Sequence, residues 1–268
     1  RYHNIMKFSI IINTHNQDDY LVRAITSCLK QDFKDYEIII CDTSDKKNNT
    51  KLKKLTTPKR VQYFHYKSKY SQPEQSQMDK ILFGFKKSKG DFICLMDGDD
   101  FFNKKKLMLL ERVIGRKKIL FNQDNPSIVK NGLIVMRKIT NKKYKNNYLF
   151  NLLVNDWPQI YGTSSIVVEK KVLKKFFEKA KPFNWKYLAI DAQLALFCKV
   201  NFSIRRDLEN ITKKTIHNRN LGDQYLNLSG KKFWIRRFMQ HKYYAFLRKK
   251  NKFSLDFFLT IVVFYLFR

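Results

Sequence analysis

Four carboxylates in two short stretches are the residues of this sequence best suited to metal or phosphate chemistry. Asp97, Asp99 and Asp100 directly follow the apolar run DFICLM, and Asp42 follows the apolar run YEIIIC. Clustered like charges repel each other unless a cation or hydrogen-bond donors neutralise them. Oxygen ligands without nearby cysteines favour Mg²⁺ or Mn²⁺ shared with phosphate oxygens. The cluster therefore predicts a divalent-cation site for a phosphorylated ligand.

Apolar runs that alternate with helical patterns predict the elements that position these acids. Runs typical of buried strands are FSIIIN (8–13), YEIIIC (36–41), DFICLM (91–96) and, less regular, VQYFHY (61–66). After the first run, one helical face is formed by Leu21, Ala24, Ile25, Cys28 and Leu29. A strand, a crossover helix and a second strand form a right-handed unit with a parallel sheet. Ligands bind at the carboxyl ends of such strands, where the acids lie.

The alternation continues through the middle of the chain. Helices are predicted around 78–85, 107–114, 172–177 and 191–198, and strands at IVKNGLIVM (128–136) and SSIVVEK (164–170). No internal repeat or low-complexity linker interrupts these patterns. We therefore expect one α/β domain over residues 1–222, followed by a helical tail over residues 223–268.

The tail has a composition of its own. No acidic residue occurs from Gln224 to Leu255, where lysines and arginines interleave with aromatic residues. The terminal run FFLTIVVFYLF is shorter than the ~20 apolar residues of a spanning helix. A basic, aromatic stretch leading to an apolar end predicts an amphipathic helix in a membrane interface. The alternative is a final helix packed on the domain with its basic face in solvent.

Charge and cysteine content narrow the class of protein. The net charge of +31 over 268 residues attracts nucleic acid, anionic membranes or phosphorylated substrates, although lysines spread over every segment also suggest a general compositional bias. Four well-separated cysteines exclude a structural zinc site and predict small buried residues in a reducing compartment. No signal peptide is visible, so we expect a cytoplasmic protein.

Two segments resemble the family-2 glycosyltransferases. SIIINTHNQDDYLVRAITSCLKQDFKDYEIIICDTSD is similar to the opening of that family, and QMDKILFGFKKSKGDFICLMDGDD is similar to its "Q-x-D-A" helix, its turn and its DxD strand. The resemblance runs from about Phe8 to Val200 in family order. It implies a GT-A fold, with a Rossmann-like, mostly parallel central sheet flanked by helices. It also implies transfer of a sugar from a nucleoside-diphosphate sugar with inversion.

The resemblance assigns roles residue by residue. Nucleotide-sugar binding is expected at Thr14, Asn16, Asp42, Asp79, Asp97 and Gly98. Asp99, with His217 in TIHNRN, is expected to hold Mn²⁺ or Mg²⁺ on the diphosphate. Asp191 in YLAIDAQLAL matches the general base, which removes the proton from the acceptor hydroxyl. Asp100 is expected to assist or to cap the following helix.

Three positions depart from the family pattern. Thr43 replaces the second acid of "DDGS", Ile190 replaces the Glu before the base, and Leu82 replaces an Asn. These changes affect the expected donor sugar more than the reaction class. The implied donor is a UDP-sugar and the implied acceptor a bacterial surface glycan (capsule, lipooligosaccharide or O-antigen) or a lipid-linked glycan. The enzyme is expected on the inner face of the plasma membrane.

Other classes fit the sequence less well. A nucleic-acid-binding protein would suit the basic aromatic tail, but no helix-turn-helix, zinc-finger or RNP signature is present, and no nucleic-acid partner is expected. A nucleotidyltransferase usually has a Gly-rich loop after the first strand, where this chain has THNQDD. A dinucleotide-dependent enzyme would need a GxGxxG after a strand. A catalytically inactive carbohydrate-binding relative remains the last alternative.

Overall fold

The computed structural model describes residues 7–46, 50–117, 119–135, 157–217, 230–249 and 254–266. The strands are β1 (Phe8–Thr14), β2 (Tyr36–Asp42), β3 (Val61–His65), β4 (Phe92–Asp97), β5 (Phe101–Phe102), β6 (Phe121–Gln123), β7 (Asn125–Lys130), β8 (Leu133–Val135), β9 (Ile166–Glu169) and β10 (Glu209–Ile216). The helices are α1 (Asp18–Leu29), α2 (Thr50–Thr56), α3 (Pro73–Lys87), α4 (Lys106–Lys117), α5 (Lys170–Lys179), α6 (Ile190–Asn201), α7 (Lys231–Arg248) and α8 (Leu255–Leu266). Short 3-10 turns occupy Thr163–Ser165 and Pro182–Asn184.

A six-stranded sheet with the order β3-β2-β1-β4-β9-β6 forms the centre of the fold. The first four strands are parallel, and β9 runs antiparallel to both of its neighbours. The predicted mostly parallel sheet flanked by helices is confirmed. The register pairs Thr14 with Asp42 and Asn13 with Asp97, so the carboxyl ends of three strands bring these polar residues together.

Helices cover both faces of this sheet because the buried strands alternate their side chains between two cores. Ile10 and Ile12 of β1 point into the core that contains α1 and α4. Ile11 points the other way, into the core that contains α3, α5 and α6. The continuous apolar runs of the sequence are thus explained by strands that are buried on both sides.

A second sheet with the order β5-β10-β7-β8 was only partly foreseen. The single strand expected over 128–136 is wrong, because β7 and β8 form an antiparallel hairpin in which Lys130 faces Leu133. Asn131 and Gly132 adopt φ values of 50° and 79°. An Asn-Gly pair with positive φ at both positions is typical of a two-residue hairpin turn. The Asn131-Gly132 pair is therefore a turn signal within the apolar run that the sequence prediction did not use.

The tail contains two helices rather than the one that was expected. Tyr243 of α7 is completely buried in the core beside α6, and its hydroxyl donates to the Gln193 carbonyl at 3.1 Å. Phe264 of α8 stacks on Phe238 of α7 with ring centres 4.3 Å apart. The proposed boundary between residues 222 and 223 lies outside the described residues. Among the helices that are described, none is long and apolar enough to cross a membrane.

Candidate active site

The acidic cluster follows β4 in a turn that packs closely against the end of β1. The backbone N–H of Gly98 donates to the Asn13 carbonyl at 2.9 Å. A Cβ added at Gly98 would lie 2.6 Å from Oγ1 of Thr14, a distance that real Cβ atoms do not tolerate. Glycine is therefore required by the close approach of the two strand ends. The structure thereby joins Thr14 and Gly98, two of the residues expected to bind the nucleotide sugar.

Asp97 is held in place by two amide side chains. Its Oδ1 accepts hydrogen bonds from Asn13 Nδ2 and Gln77 Nε2, both at 2.9 Å. Burial raises the pKa of Asp97, the two amide donors lower it, and the nearby charge of Asp191 raises it further. The two carboxylates therefore lie close enough to repel each other. Gln77 was not assigned a role from the sequence, although it is the Gln of the "Q-x-D-A" pattern.

Asp99 and His217, the two expected metal ligands, lie side by side. His217 Nε2 is 2.9 Å from Asp99 Oδ2, and the carboxylate is only 9% exposed. Burial and the charge of Asp97 raise the pKa of Asp99 to about 7. The His217 ring stacks on Tyr20 of α1 with centres 4.8 Å apart, which fixes its orientation. A buried acid crowded by like charge is an environment that a bound cation would stabilise.

Arg23 of α1 contacts the backbone of Asp99, next to the Asp99–His217 pair, and no role was predicted for it from the sequence. Its guanidinium donates to the Asp99 carbonyl at 3.0 Å and to Thr215 Oγ1 at 2.7 Å. The same group lies 4.4 Å from the centre of the Phe101 ring. Arg23 therefore ties α1 to the acidic turn and to β10, the strand that leads to His217.

Asp100 has a structural role that differs from the expected helix cap. Its two carboxylate oxygens accept from Ser164 Oγ at 2.6 Å and from the Thr215 N–H at 2.8 Å. The following helix begins only at Lys106, so the capping alternative is wrong. Burial, followed by the charges of Asp99 and Asp97, raises the pKa of Asp100 well above its usual value.

Asp191 is the second residue of α6, at a helix N-terminus where a carboxylate is favoured by the helix dipole. Its Oδ1 accepts from the Ala192 N–H at 2.7 Å, and its charge raises the pKa of Asp97. The residue expected to be the general base thus lies near the acidic turn, although 94 positions separate it from Asp97 in the sequence.

Asp42 and Asn16 hold loops at the carboxyl end of the parallel strands. Asp42 is completely buried, and its carboxylate accepts from the Ser44 N–H, the Ser44 hydroxyl and the Tyr63 hydroxyl at 2.8, 2.5 and 2.6 Å. Asn16 donates through Nδ2 to Asp45 Oδ2 at 2.8 Å. In this structure both side chains are engaged in local contacts. Their expected contact with the nucleotide remains a prediction.

Asp79 and Lys80 are adjacent on α3, and only Asp79 had been singled out. Asp79 Oδ2 accepts from Ser68 Oγ at 3.3 Å. Lys80, which replaces the Ala of "Q-x-D-A", is 4% exposed and donates to Thr43 Oγ1 and Ser76 Oγ at 3.1 and 3.3 Å. Burial lowers the pKa of Lys80 to about 8, and the charges of Asp97 and Asp42 oppose that shift. A buried ammonium therefore lies between the two acidic strand ends.

Lys214 of β10 also lies near the acidic cluster. The charge of Lys214 lowers the pKa values of Asp97 and Asp99, against the larger effect of burial. Its side chain passes over Gly162, where an added Cβ would meet Lys214 Nζ at 3.3 Å. Gly162 has a φ of 102°, which also favours glycine. No local sequence pattern indicated this lysine, because 117 positions separate it from Asp97.

Comparison with known proteins gives a family. The model described as Glycosyl transferase family 2 matches residues 9–177. The UDP-Glc:alpha-D-GlcNAc-diphosphoundecaprenol beta-1,3-glucosyltransferase WfgD of Escherichia coli is 27% identical over 169 residues, which cover 63% of this chain and 62% of that protein. An uncharacterized glycosyltransferase of Rickettsia bellii is 29% identical over 117 residues, or 43% of this chain and 16% of that protein. The chain thus matches less than two thirds of the length of these relatives.

Solved structures share the fold. Staphylococcus aureus TarS 1–349 in complex with UDP has a TM-score of 0.61 at 17% identity, over 97% of this chain and 71% of that chain. The mannosyltransferase PcManGT of Pyrobaculum calidifontis, in complex with GDP-Man and Mn²⁺, has a TM-score of 0.59 at 10% identity, over 97% and 70% of the two chains. These likenesses confirm the expected GT-A arrangement. Since the family model covers more than half of its residues, the chain belongs to glycosyl transferase family 2.

Proposed function

We propose that this protein is an inverting, divalent-metal-dependent glycosyltransferase that moves a sugar from a nucleoside-diphosphate sugar to a hydroxyl group of a surface-glycan acceptor. The observation that carries the proposal is that Asp191 is close enough for its charge to raise the pKa of Asp97, which lies two residues from the Asp99–His217 pair at the carboxyl end of β4. A base and a cation site on one edge of the sheet are the two parts that a single displacement needs.

The residues present fit a divalent cation. Asp99 and His217 offer an oxygen and a nitrogen donor 2.9 Å apart. In the part of the chain that the structure describes, no three His, Cys, Asp or Glu side chains form a complete metal cage. Mg²⁺ commonly takes only one or two protein ligands and completes its shell with substrate phosphates and water. When bound, the cation would stabilise the negative charge that develops on the departing diphosphate.

Asp191 supplies the proton acceptor in this proposal. Its carboxylate takes the proton of the acceptor hydroxyl while that oxygen attacks the anomeric carbon, and the glycosidic oxygen of the donor leaves with the nucleoside diphosphate. Asp97, fixed by Asn13 and Gln77, would orient the donor. Lys214 would add a positive charge near the departing phosphates.

UDP-sugars are the proposed donors, and a glycan on a lipid diphosphate is the proposed acceptor. Two findings support this choice: the TarS structure holds UDP, and WfgD is named for UDP-Glc and a diphosphoundecaprenol acceptor. We also propose that the enzyme works in the bacterial cytoplasm, on the inner face of the plasma membrane. The net charge of +31 supports attraction to anionic lipid.

The test is a transfer assay with the purified full chain. UDP-glucose and UDP-N-acetylglucosamine are offered with a synthetic N-acetylglucosamine diphospholipid and Mn²⁺, and release of UDP is followed. We expect release that needs the acceptor, stops with EDTA and returns with Mn²⁺, and a product whose anomeric configuration is inverted in the NMR spectrum. Retention of configuration, or an unchanged rate after metal removal, would contradict the proposed mechanism.

A further inference from the structure

The last described helix turns its apolar side away from the protein. The outward positions of α8 are all apolar and between 40% and 79% exposed: Leu255, Phe258, Leu259, Val262, Tyr265 and Leu266. Their spacing of three and four residues puts them on one side of the helix. The inward side carries the polar groups, since Thr260 is 1% exposed and the Asp256 side chain is 16% exposed. Phe264 also faces inward, so the unusual feature is the outward side, where an ordinary surface helix carries polar side chains.

Polar contacts fix this rotation of the helix. Asp256 Oδ2 accepts from Trp157 Nε1 at 3.0 Å and from Arg237 Nη2 at 2.7 Å. His241 Nε2 lies 3.4 Å from Asp256 Oδ1. Burial would raise the pKa of Asp256, but the hydrogen bonds from His241 and Trp157 and the charge of Arg237 outweigh it and lower the pKa. Turning the apolar side inward would break this network, so the outward apolar face is a stable feature of the fold.

Large exposed apolar side chains are concentrated in two places within the described residues. One is strand β8, where all three residues are more than half exposed, and the other is the pair of C-terminal helices. Concentrated exposed apolar surface marks an interaction site rather than ordinary surface. The α8 face is the larger patch, and it has no charged side chain among its outward positions.

Positive charge lies next to α8 at Lys242, and the same neighbouring helix carries further exposed lysines. Exposed lysines of the α7 region are Lys231, Lys232, Lys242 and Lys249. The Lys242 ammonium lies 5.5 Å from the centre of the Phe238 ring, which in turn stacks on Phe264 of α8. Asp256 is the only acid after Asp223, and it is already paired with Arg237. An apolar face with lysines on the neighbouring helix and no free acid beside it complements an anionic lipid surface.

We propose that the outward face of α8 inserts into the boundary between headgroups and acyl chains of an anionic bilayer, while the lysines of α7 contact lipid phosphates. The twelve residues of α8 span ~18 Å at ~1.5 Å per residue. A hydrocarbon core is ~30 Å thick, so the helix lies along the surface. The inference rests on the proposed membrane location and identifies the element and the side chains that make the contact.

The test compares two pairs of substitutions that are identical in chemistry. Leu259→Gln with Val262→Gln changes the outward face of α8, and Leu133→Gln with Val135→Gln makes the same change on the exposed β8. Neither pair alters the charge, and all four side chains are at least 40% exposed. Partitioning of the full chain is measured on phosphatidylcholine vesicles with and without phosphatidylglycerol. We expect preferential binding to the anionic vesicles and about a tenfold or larger loss for the α8 pair only.

Several outcomes would overturn the inference. The α8 double variant could partition as strongly as the wild type, or both double variants could lose binding equally. The wild type could also bind neither kind of vesicle. A concentration-dependent dimer in sedimentation experiments that only the α8 pair abolishes, without vesicle binding, would assign the face to a second copy of the chain. UDP binding is measured in all three proteins in parallel. If none of them binds UDP, the proposed activity fails while the vesicle result still decides the docking inference.

Discussion

At the scale of single residues, Asp97 and Asp191 lie near each other in the site but differ in how they are held, although they are distant in the sequence. Asp97 is fixed by amide donors from β1 and α3, whereas Asp191 lies in the first turn of α6 and accepts from the backbone N–H of Ala192. A fixed carboxylate suits binding and orientation, and a carboxylate at a helix start suits proton transfer. They lie near each other because β4 ends and α6 begins at the carboxyl edge of the sheet.

Asp191→Asn should lower the transfer rate by about 10³-fold, within the range expected for loss of a general base, while the affinity for UDP stays near wild type. The reason is that the amide keeps the shape of the side chain but cannot accept the acceptor proton. The rate is measured by UDP release and the affinity by calorimetry. Asp32→Asn, at a surface carboxylate that is 42% exposed, is the matched control. Near-normal transfer by Asp191→Asn would show that another group is the base.

Lys80 shows the cost of a buried charge in this site. Its folded-state pKa of about 8 lies below the ordinary lysine pKa of 10.5, so the unfolded chain binds more protons between these two pH values. Stability therefore rises with pH through that window, and the charged lysine reduces stability at neutral pH. A buried charge that is retained in a pocket despite such a cost is a candidate for ligand binding.

Lys80→Met should raise the free energy of unfolding at pH 7 by up to about 3 kcal/mol, and this gain should shrink between pH 8 and 10.5. The same variant should bind UDP more weakly, because an ammonium beside Asp42 and Asp97 is lost. Urea unfolding across pH and calorimetry measure the two effects. Lys174→Met, at a side chain that is 68% exposed, should change neither. A stability gain that is constant across pH would contradict the assigned cause.

At the scale of elements, a buried ion pair joins the two sheets beneath the acidic turn. Lys106 of α4 and Asp124 are completely buried 3.0 Å apart. The Lys106 ammonium also donates to the Ser164 carbonyl at 2.9 Å and to Thr212 Oγ1 of β10 at 2.5 Å. Ser164 in turn donates to Asp100. The pair therefore positions the strand that leads to His217 and the turn that holds Asp100.

Lys106→Met should destabilise the protein by about 3–5 kcal/mol, because Asp124 would be left buried without its partner. Lys106→Met combined with Asp124→Leu should recover most of that loss, since no unpaired charge remains. Urea unfolding at neutral pH measures both. A double variant as unstable as the single one would show that the hydrogen bonds to Ser164 and Thr212, and not the unpaired charge, dominate.

Elements with a simple physical signature could be predicted, and those without one could not. The runs at β1, β2 and β4 were recognised because strands buried on both faces must be continuously apolar. β10 (ENITKKTI) was not predicted because it is half-exposed and mixes lysine and threonine with few apolar residues. Buried Lys80 and Lys106 were missed since lysine is usually a surface residue, and their partners are distant in sequence. The site residues at the strand ends were predicted from their position after buried strands and from the family resemblance.

At the scale of the whole molecule, one sheet edge collects contributions from almost every part of the chain. β1 and β4 supply Asn13 and the acidic turn, α3 supplies Gln77 and Lys80, and α6 supplies Asp191. The second sheet closes the edge and brings His217 to Asp99. The C-terminal helices pack on the core at Tyr243 and leave their apolar side outward. The proposed donor site and the proposed lipid-facing surface lie in different parts of the chain, as expected if the acceptor is lipid-linked.

Metal-dependent binding of UDP is the most direct test of the central claim. The apparent unfolding temperature of the full chain is measured with UDP, with Mn²⁺ and with both, for the wild type and for Asp99→Asn. We predict a clear rise for the wild type only when both are present, equivalent to about 2.7 kcal/mol at a ligand concentration of about 100 times Kd, and little or no rise for Asp99→Asn. No shift with any nucleoside diphosphate, together with tight and salt-sensitive binding of RNA, would contradict the glycosyltransferase account and favour a nucleic-acid-binding protein.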